Sequence, residues 1–378
     1  MQPCLFFLLL CLAAIPVQSC SVPVFRYALE RWPASPYELF VFHRGQLSPA
    51  QQELMKRFSP DATNAMPANL VARAVDLDAD PPAQLASLWG QHQSDALPAG
   101  VLVYPRGGLA QGAVWSGAFD EAAAGRLADS PFRRRLTQRL LRGESAVWIL
   151  LEGGDKAKDD AAGAVLRKRL DHLQQTLKPP KLDAEDVTNR VISVAESELK
   201  IAFGLLRLSR TDPAEELLVR MLLRSEDDLA ESKEPCAFPV FGRGRVLYAL
   251  VGDGINDENI DEAGSFLTGP CSCIVKEENP GFDLLLAADW DRLVRLTATS
   301  ESEPPELTGL TSLAAPSGAD QVAGGVPAKP ASSNTASTNM AVPRTASSAR
   351  WSRAVLVAVG VCAGALIVGT FLVLRRKE

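Results

Sequence analysis

From residue 37 onward, short continuous apolar runs alternate with amphipathic stretches, a pattern that predicts strands separated by helices. Residues 37–43 (YELFVFH) are an apolar, aromatic-rich strand. Ser48 and Pro49 then open a helix, with Gln51 three residues past the cap. Residues 69–77 predict a second strand, after which Asp80 caps a helix beginning at Pro81. Residues 100–104 and 112–116 predict a third and a fourth strand, joined through Arg106-Gly107-Gly108. Ser130 and Pro131 start another helix, with Phe132, Leu136 and Leu140 on one face and Gly143 as its stop.

A second round follows. Residues 146–151 (AVWILL) lack polar alternation, as expected of a strand buried on both faces. Asp155 begins a long helix with Ala162, Val165, Leu166, Leu170, Leu173 and Leu177 at helical spacing. Residues 199–208 predict a strand, Asp212-Pro213 with Glu215 a helix over 217–223, and 246–251 (VLYALV) a further strand. A short helix over 260–267, capped by Asn259, and a closing hairpin of 273–275 with 284–288 complete the round.

Both ends of the chain read differently. Residues 5–15 (LFFLLLCLAAI) have the length of a signal-peptide apolar region and are too short to span a bilayer. Val17 and Ser19 suit cleavage before Cys20, and the stretch resembles a bacterial lipobox, which makes Cys20 a lipidation candidate. Residues 354–374 carry no charge over 21 residues, enough at about 1.5 Å per residue to cross about 30 Å of hydrocarbon. Arg375, Arg376 and Lys377 follow, so the C-terminus is expected inside and the body outside the cytoplasm. Residues 301–350 contain no aromatic residue and are rich in Ser, Ala, Thr, Pro and Gly, the composition of an unfolded stalk with a reach of about 40 Å. The expected organisation is a signal peptide (1–19), two α/β units (21–145 and 146–297), a disordered linker (298–350), a single transmembrane helix (354–374) and a cytoplasmic tail (375–378).

Composition narrows the partners. The net charge of -6 and the absence of a basic block in the body argue against nucleic acid. Only three histidines are present, none at metal-binding spacing, so the metal assignment is unknown and no cofactor is expected. The Arg133-Arg134-Arg135 run is expected on a solvated helix face.

Strand, helix, strand, helix, strand, strand, helix is the order of a thioredoxin-like domain. The stretch 71–107 (VARAVDLDADPPAQLASLWGQHQSDALPAGVLVYPRG) resembles the corresponding thioredoxin segment in pattern. The resemblance covers about 30–145 and, more weakly, 146–290. It implies an α/β fold of one or two tandem thioredoxin-like domains and a cis-proline before the third strand, matched by Pro98. Pro239 is its counterpart in the second round, although Gly242-Arg243-Gly244 follows too soon for a regular strand. Residues 22–32 (VPVFRYALERW) also resemble the opening of exported bacterial proteins.

Thioredoxin chemistry needs Cys-x-x-Cys at the start of the first helix, where the helix dipole lowers the thiol pKa. That place reads His43-Arg44-Gly45-Gln46-Leu47-Ser48 in the first round and Glu152-Gly153-Gly154-Asp155-Lys156 in the second, without cysteine. The thiol candidates elsewhere in the body are Cys236, Cys271 and Cys273, which suit a structural disulfide, a soft-metal site or a redox group. Residues 252–257 (GDGIND) resemble a strand-end motif of haloacid-dehalogenase-type phosphotransferases, and Asp76 and Asp78 of DLDAD resemble the nucleophile motif of that family. Asp80 stands where that motif has Thr or Val, and the alternative reading is a turn leading into an acid-rich helix. The functional expectation is a membrane-tethered, non-catalytic module that binds an envelope protein. A thiol-redox or soft-metal-handling protein is the alternative.

Overall fold

The computed structural model describes residues 20–59, 65–106, 110–271 and 275–299, all within one compact unit. The expected signal peptide, residues 300–350 of the expected linker, the apolar 354–374 stretch and Cys273 lie outside the described residues, whereas positions 298 and 299 of that linker end a helix over Trp290–Thr299. Among the described residues, no helix is long and apolar enough to cross a membrane.

The chain is α/β with two mixed sheets. The first sheet holds β1 (Tyr37–His43), β2 (Leu70–Asp76), β3 (Ala99–Val103) and β4 (Ala113–Ala118) in the order β2-β1-β3-β4. β1 runs parallel to β2, and β3 is antiparallel to both β1 and β4. The second sheet repeats this arrangement. β5 (Ala146–Glu152) runs parallel to β6 (Phe203–Ser209) and antiparallel to β7 (Cys236–Phe241). Beyond β7 lie β8 (Arg245–Val246), β9 (Leu250–Val251) and β10 (Phe282–Asp283).

The expected 246–251 strand is thus broken in two, and Pro239 supplies the reason. It sits within β7, level with Trp148, and its carbonyl accepts from the Leu247 amide at 3.0 Å. Its nitrogen has no hydrogen to return, so the ladder on that side stops after β8 and resumes at β9. Positions 273 and 274 of the expected closing hairpin lie outside the described residues; β10 pairs with β8, and residues 284–288 run buried between the sheets.

Several helices begin where the sequence places them. α1 (Val24–Arg31) precedes the first strand. α2 (Pro49–Lys56) has the full capping box of Ser48 with Gln51. α3 (Ala83–Gln91) starts later than expected, because Pro81 and Pro82 lack N–H groups and hold their neighbours extended, and Asp80 turns through φ 53° instead of capping. α4 (Glu121–Ala128) is followed by α5 (Pro131–Leu141), capped by Ser130. α6 (Lys156–Thr176) is capped by Asp155. α7 (Ala184–Thr188), α8 (Glu216–Leu223), α9 (Asp257–Thr268) and α10 (Trp290–Thr299) are the remaining α-helices among the described residues. Asn256, not Asn259, caps α9: the Asn259 amide donates to its side chain at 3.0 Å.

The alternation along β1 and β5 sorts residues between layers. Tyr37, Leu39 and Val41 join Val147, Ile149 and Leu151 in one shared core, together with Phe132, Leu136 and Leu140 of α5 and Leu218 and Leu222 of α8. Both helices therefore lie between the sheets, with α5 against β5 and α8 against β4. On the far side of the first sheet, Phe40, Phe42, Val75 and Val101 meet α3. On the far side of the second, Trp148 and Leu150 meet α6, α9 and α1. α1 is the first helix among the described residues, yet it packs on the second sheet.

Arg133 corrects the expectation of a solvated basic face. It is 1% exposed and donates to the Ser130 hydroxyl and to the carbonyls of Arg126, Leu127 and Leu285. It satisfies backbone oxygens that the meeting of the two halves buries.

Candidate functional site

The sheet ends that follow β1 and β5 are equivalent places in the two halves. At the first, the register of β1 with β3 pairs Phe42 with Ala99, so His43 comes level with Pro98 one step further on. The Leu97–Pro98 peptide bond is cis. His43 is hydrogen-bonded through Nδ1 to the Gly45 carbonyl at 2.9 Å. The Asp78 carboxylate accepts from the Gly45 amide at 3.2 Å and pairs with Arg44, with both charged groups open to solvent. Asp76 accepts from the Asp78 amide at 3.0 Å.

At the second place, Leu151 pairs with Cys236, which brings Glu152 level with Pro235. Pro235, not Pro239, occupies the register position of Pro98. The buried Asp159 carboxylate accepts from the amides of Gly153 and Gly154 at 2.7 and 3.1 Å. Gly153 lies so close to the neighbouring loop that a Cβ would come within 2.2 Å of the Lys233 carbonyl oxygen. A groove of about 700 Å³ opens beside this point, with Ala161, Val165, Pro235, Val251 and Ile255 along it and Lys158, Glu234 and Asp253 at its rim. Lys158 and Glu234 pair across it at 2.5 Å.

Among the described residues, Cys236 is set apart from Cys20 and Cys271. Cys236 is fully buried in the core between the sheets, whereas Cys271 is fully buried in the core on the far face of the second sheet. Cys20 is half-buried at the edge of that outer core. Burial pushes the Cys236 thiol up from its ordinary value, against the opposing pull of Arg210. Burial likewise raises Cys20, and the Asp186 and Asp183 carboxylates add to it. Reactive thiols show the opposite displacement.

The acidic motifs do not meet either. Asp76 ends β2 of the first sheet, whereas Asp253 and Asp257 follow β9 of the second. Asp257 and Asp261 face Arg169 on α6, a structural ion pair between helices. Among the described residues, no group of three or more His, Cys, Asp or Glu side chains is arranged to hold a metal ion.

A second cavity of about 390 Å³ lies beside the seam between the sheets, next to Tyr104, Arg106, Arg245 and Lys276. Its buried cations serve the fold. Lys276 directs its ammonium to the Pro33 carbonyl, the Ser35 hydroxyl and the Asp283 carboxylate. Arg245 donates to the carbonyls of Asn279 and Pro280 and to Asp283. Tyr37 and Tyr104 donate to the carbonyls of Asp283 and Met221 at 2.8 and 2.7 Å, and burial raises both phenols.

Sequence reasoning missed Asp78 and Asp159 as occupants of the two strand-end sites. The available signal was an aspartate within reach of a glycine-bearing turn directly after each central strand. No protein family matches the chain, and no curated protein does either.

Proposed function

We propose that the chain is a non-catalytic binding or scaffold module of the bacterial envelope. Its exported body would consist of two thioredoxin-type units held to the membrane by the 354–374 helix, with an envelope protein as partner. The shared strand order of the two sheets, each with its third strand antiparallel, supports the thioredoxin-type reading.

The observation that carries the non-catalytic reading is the state of the two strand ends. Where a redox protein of that type presents thiols, this chain has glycine-bearing turns whose amides bind its own carboxylates, Asp78 in one half and Asp159 in the other. An amide already bound to an internal anion is not available to stabilise a thiolate. The groove beside Pro235 offers a concave surface with an apolar floor, suited to part of a protein partner.

The test is thiol and metal accounting on the detergent-solubilised full-length chain. The expected result is no turnover of a disulfide substrate and no stoichiometric copper or zinc. Turnover that disappears in Cys236→Ser or Cys271→Ser, or one tightly held metal ion per chain, would overturn the proposal in favour of thiol or soft-metal chemistry.

A further inference from the structure

The start of the described chain is built into the body without slack. Val22 is fully buried and Val24 nearly so. The Val24 amide donates to the Gly269 carbonyl at 3.0 Å, the Cys271 amide donates to the Val22 carbonyl at 2.8 Å, and Pro23 and Pro270 form an antiparallel bridge. The next residue outward is held by side chains. One oxygen of Asp186 accepts from both the Ser21 amide, at 2.8 Å, and the Ser21 hydroxyl, at 2.6 Å. The same hydroxyl accepts from the Asp183 amide at 2.7 Å. Cys20 and Tyr27 pack against the same buried cluster, and the nearby Asp183 and Asp186 carboxylates add to the upward push of burial on the Cys20 thiol.

This fixes Cys20 next to two carboxylates, Asp183 and Asp186. Arg31, on the same helix as Tyr27, donates to the carbonyls of Arg190 and Val191, and Glu30 accepts from the Ser193 amide. While the leader is attached, the Cys20 nitrogen is a neutral amide. Hydrolysis of the Ser19–Cys20 bond by a leader peptidase adds water across it. Ser19 departs as a carboxylate, and the Cys20 nitrogen becomes an ammonium.

We propose that the corner formed by Asp183 and Asp186 is the receptor for the chain's own processed N-terminus, with an unacylated Cys20 ammonium pairing with these carboxylates and clamping the 182–199 segment onto α1. The proposal rests on leader removal before Cys20 and is independent of the binding-module reading.

The groups around the new ammonium are Asp183 and Asp186 from α7 and its cap, Tyr27 and Arg31 from α1, the Cys20 thiol itself and Cys271. Tyr27 and the Cys20 thiol are both raised by burial and stay neutral around pH 8. An ammonium that gains carboxylate partners has its folded pKa raised above the ordinary value of about 7.7–8.0. Its stabilisation is fully present below that value and is lost as pH rises through the folded pKa.

The first measurement is the intact mass of the full-length chain purified from membranes. The expected mass is that of a chain beginning at an unmodified Cys20. A lipid or acyl group on Cys20, or a different first residue, would overturn the proposal. The second compares the mature chain with one carrying two extra residues before Cys20, each with and without Asp186→Asn. The mature chain is expected to melt about 2–4 °C higher than the extended one at pH 6.5. That gap should shrink in Asp186→Asn and fade above about pH 9. Equal melting temperatures, or a gap indifferent to both the substitution and pH, would overturn the pairing even with the expected mass in hand. Loss of disulfide turnover or of partner binding plays no part in this test, so its failure is distinct from failure of the binding-module reading.

Discussion

The two sheets share one strand order and differ in how deeply they are enclosed. In the second, β5 is buried along its whole length except at Glu152, and a 21-residue helix covers its outer face with α9 and α1. In the first, the equivalent strand β1 is buried except at Glu38 and His43, but the covering helix α3 has no fully buried residue. The strand ends follow suit. Asp159 is 4% exposed and closes its turn from inside, whereas Asp78 does the equivalent work from the surface. A repeated topology therefore does not repeat its energetics. The second sheet, with the helices between the sheets, is the base of the body. The outer face of the first sheet is the more replaceable layer, and its exposed strand end is the freer to vary.

The sharpest way to break that comparison is a pair of tryptophans on the outer faces. Trp148 is fully buried under α6 and α1, whereas Trp89 on α3 is half-buried against Phe42, with ring centroids 5.2 Å apart. Trp148→Ala is expected to destabilise by about 3–5 kcal/mol and Trp89→Ala by about 1–2 kcal/mol. Urea unfolding followed by circular dichroism measures both. Equal losses would mean that the first sheet is as firmly roofed as the second.

The glycines after β1 and β5 come next. Gly153→Ala has no room, because the new Cβ meets a backbone oxygen, and it is expected to destabilise by about 3 kcal/mol. Gly45→Ala meets nothing within 4 Å and is opposed only by its φ of 60°, a penalty of about 1 kcal/mol. The carboxylates follow. Asp159→Ala strips two amides of their partner and should lose about 2 kcal/mol, whereas the exposed Asp78→Ala should lose less than about 1 kcal/mol. A larger effect at Asp78 than at Asp159 would reverse the assignment of base and replaceable layer.

Local signals were the legible part of this chain. Ser48 with Gln51, Ser130 with Pro131, and Asp155 each marked a helix start that formed as expected, because a cap is satisfied within a few residues of itself. What escaped the sequence depends on distant partners. Arg133 sits in a polar run, and its burial depends on acceptors gathered by the fold: the carbonyls of Arg126 and Leu127 at the end of α4 and that of Leu285 from the other half. Pro239 broke a strand whose apolar run looked continuous, because the missing hydrogen matters only once the neighbouring strand is known. Cys236 and Cys271 are 35 positions apart in sequence, and no spacing rule reveals that a sheet separates them. The strand-end sites were legible as lacking cysteine; that Asp78 and Asp159 fill them was not.

The smallest predicted effect sharpens the comparison at the seam, which belongs to both halves. Glu215, in the turn leading into α8, accepts from the Ser130 hydroxyl at 2.5 Å and from the Phe132 amide at 2.7 Å, and so caps α5 from the other half. Burial raises its pKa, against the pull of those hydrogen bonds and of Arg133. The folded state therefore holds this proton more tightly than the unfolded chain does. Its contribution to stability is fully present below the ordinary glutamate value of about 4.3 and declines as pH rises through the higher folded value. Asp129, also raised by burial, adds a slope of the same sign. Urea midpoints taken between pH 4 and pH 7 should therefore fall less steeply in Glu215→Gln than in the unaltered chain, whatever the variant's absolute stability. Identical slopes would show that Glu215 ionises at the seam without penalty, which would make the junction between the sheets more hydrated than the core on either side of it.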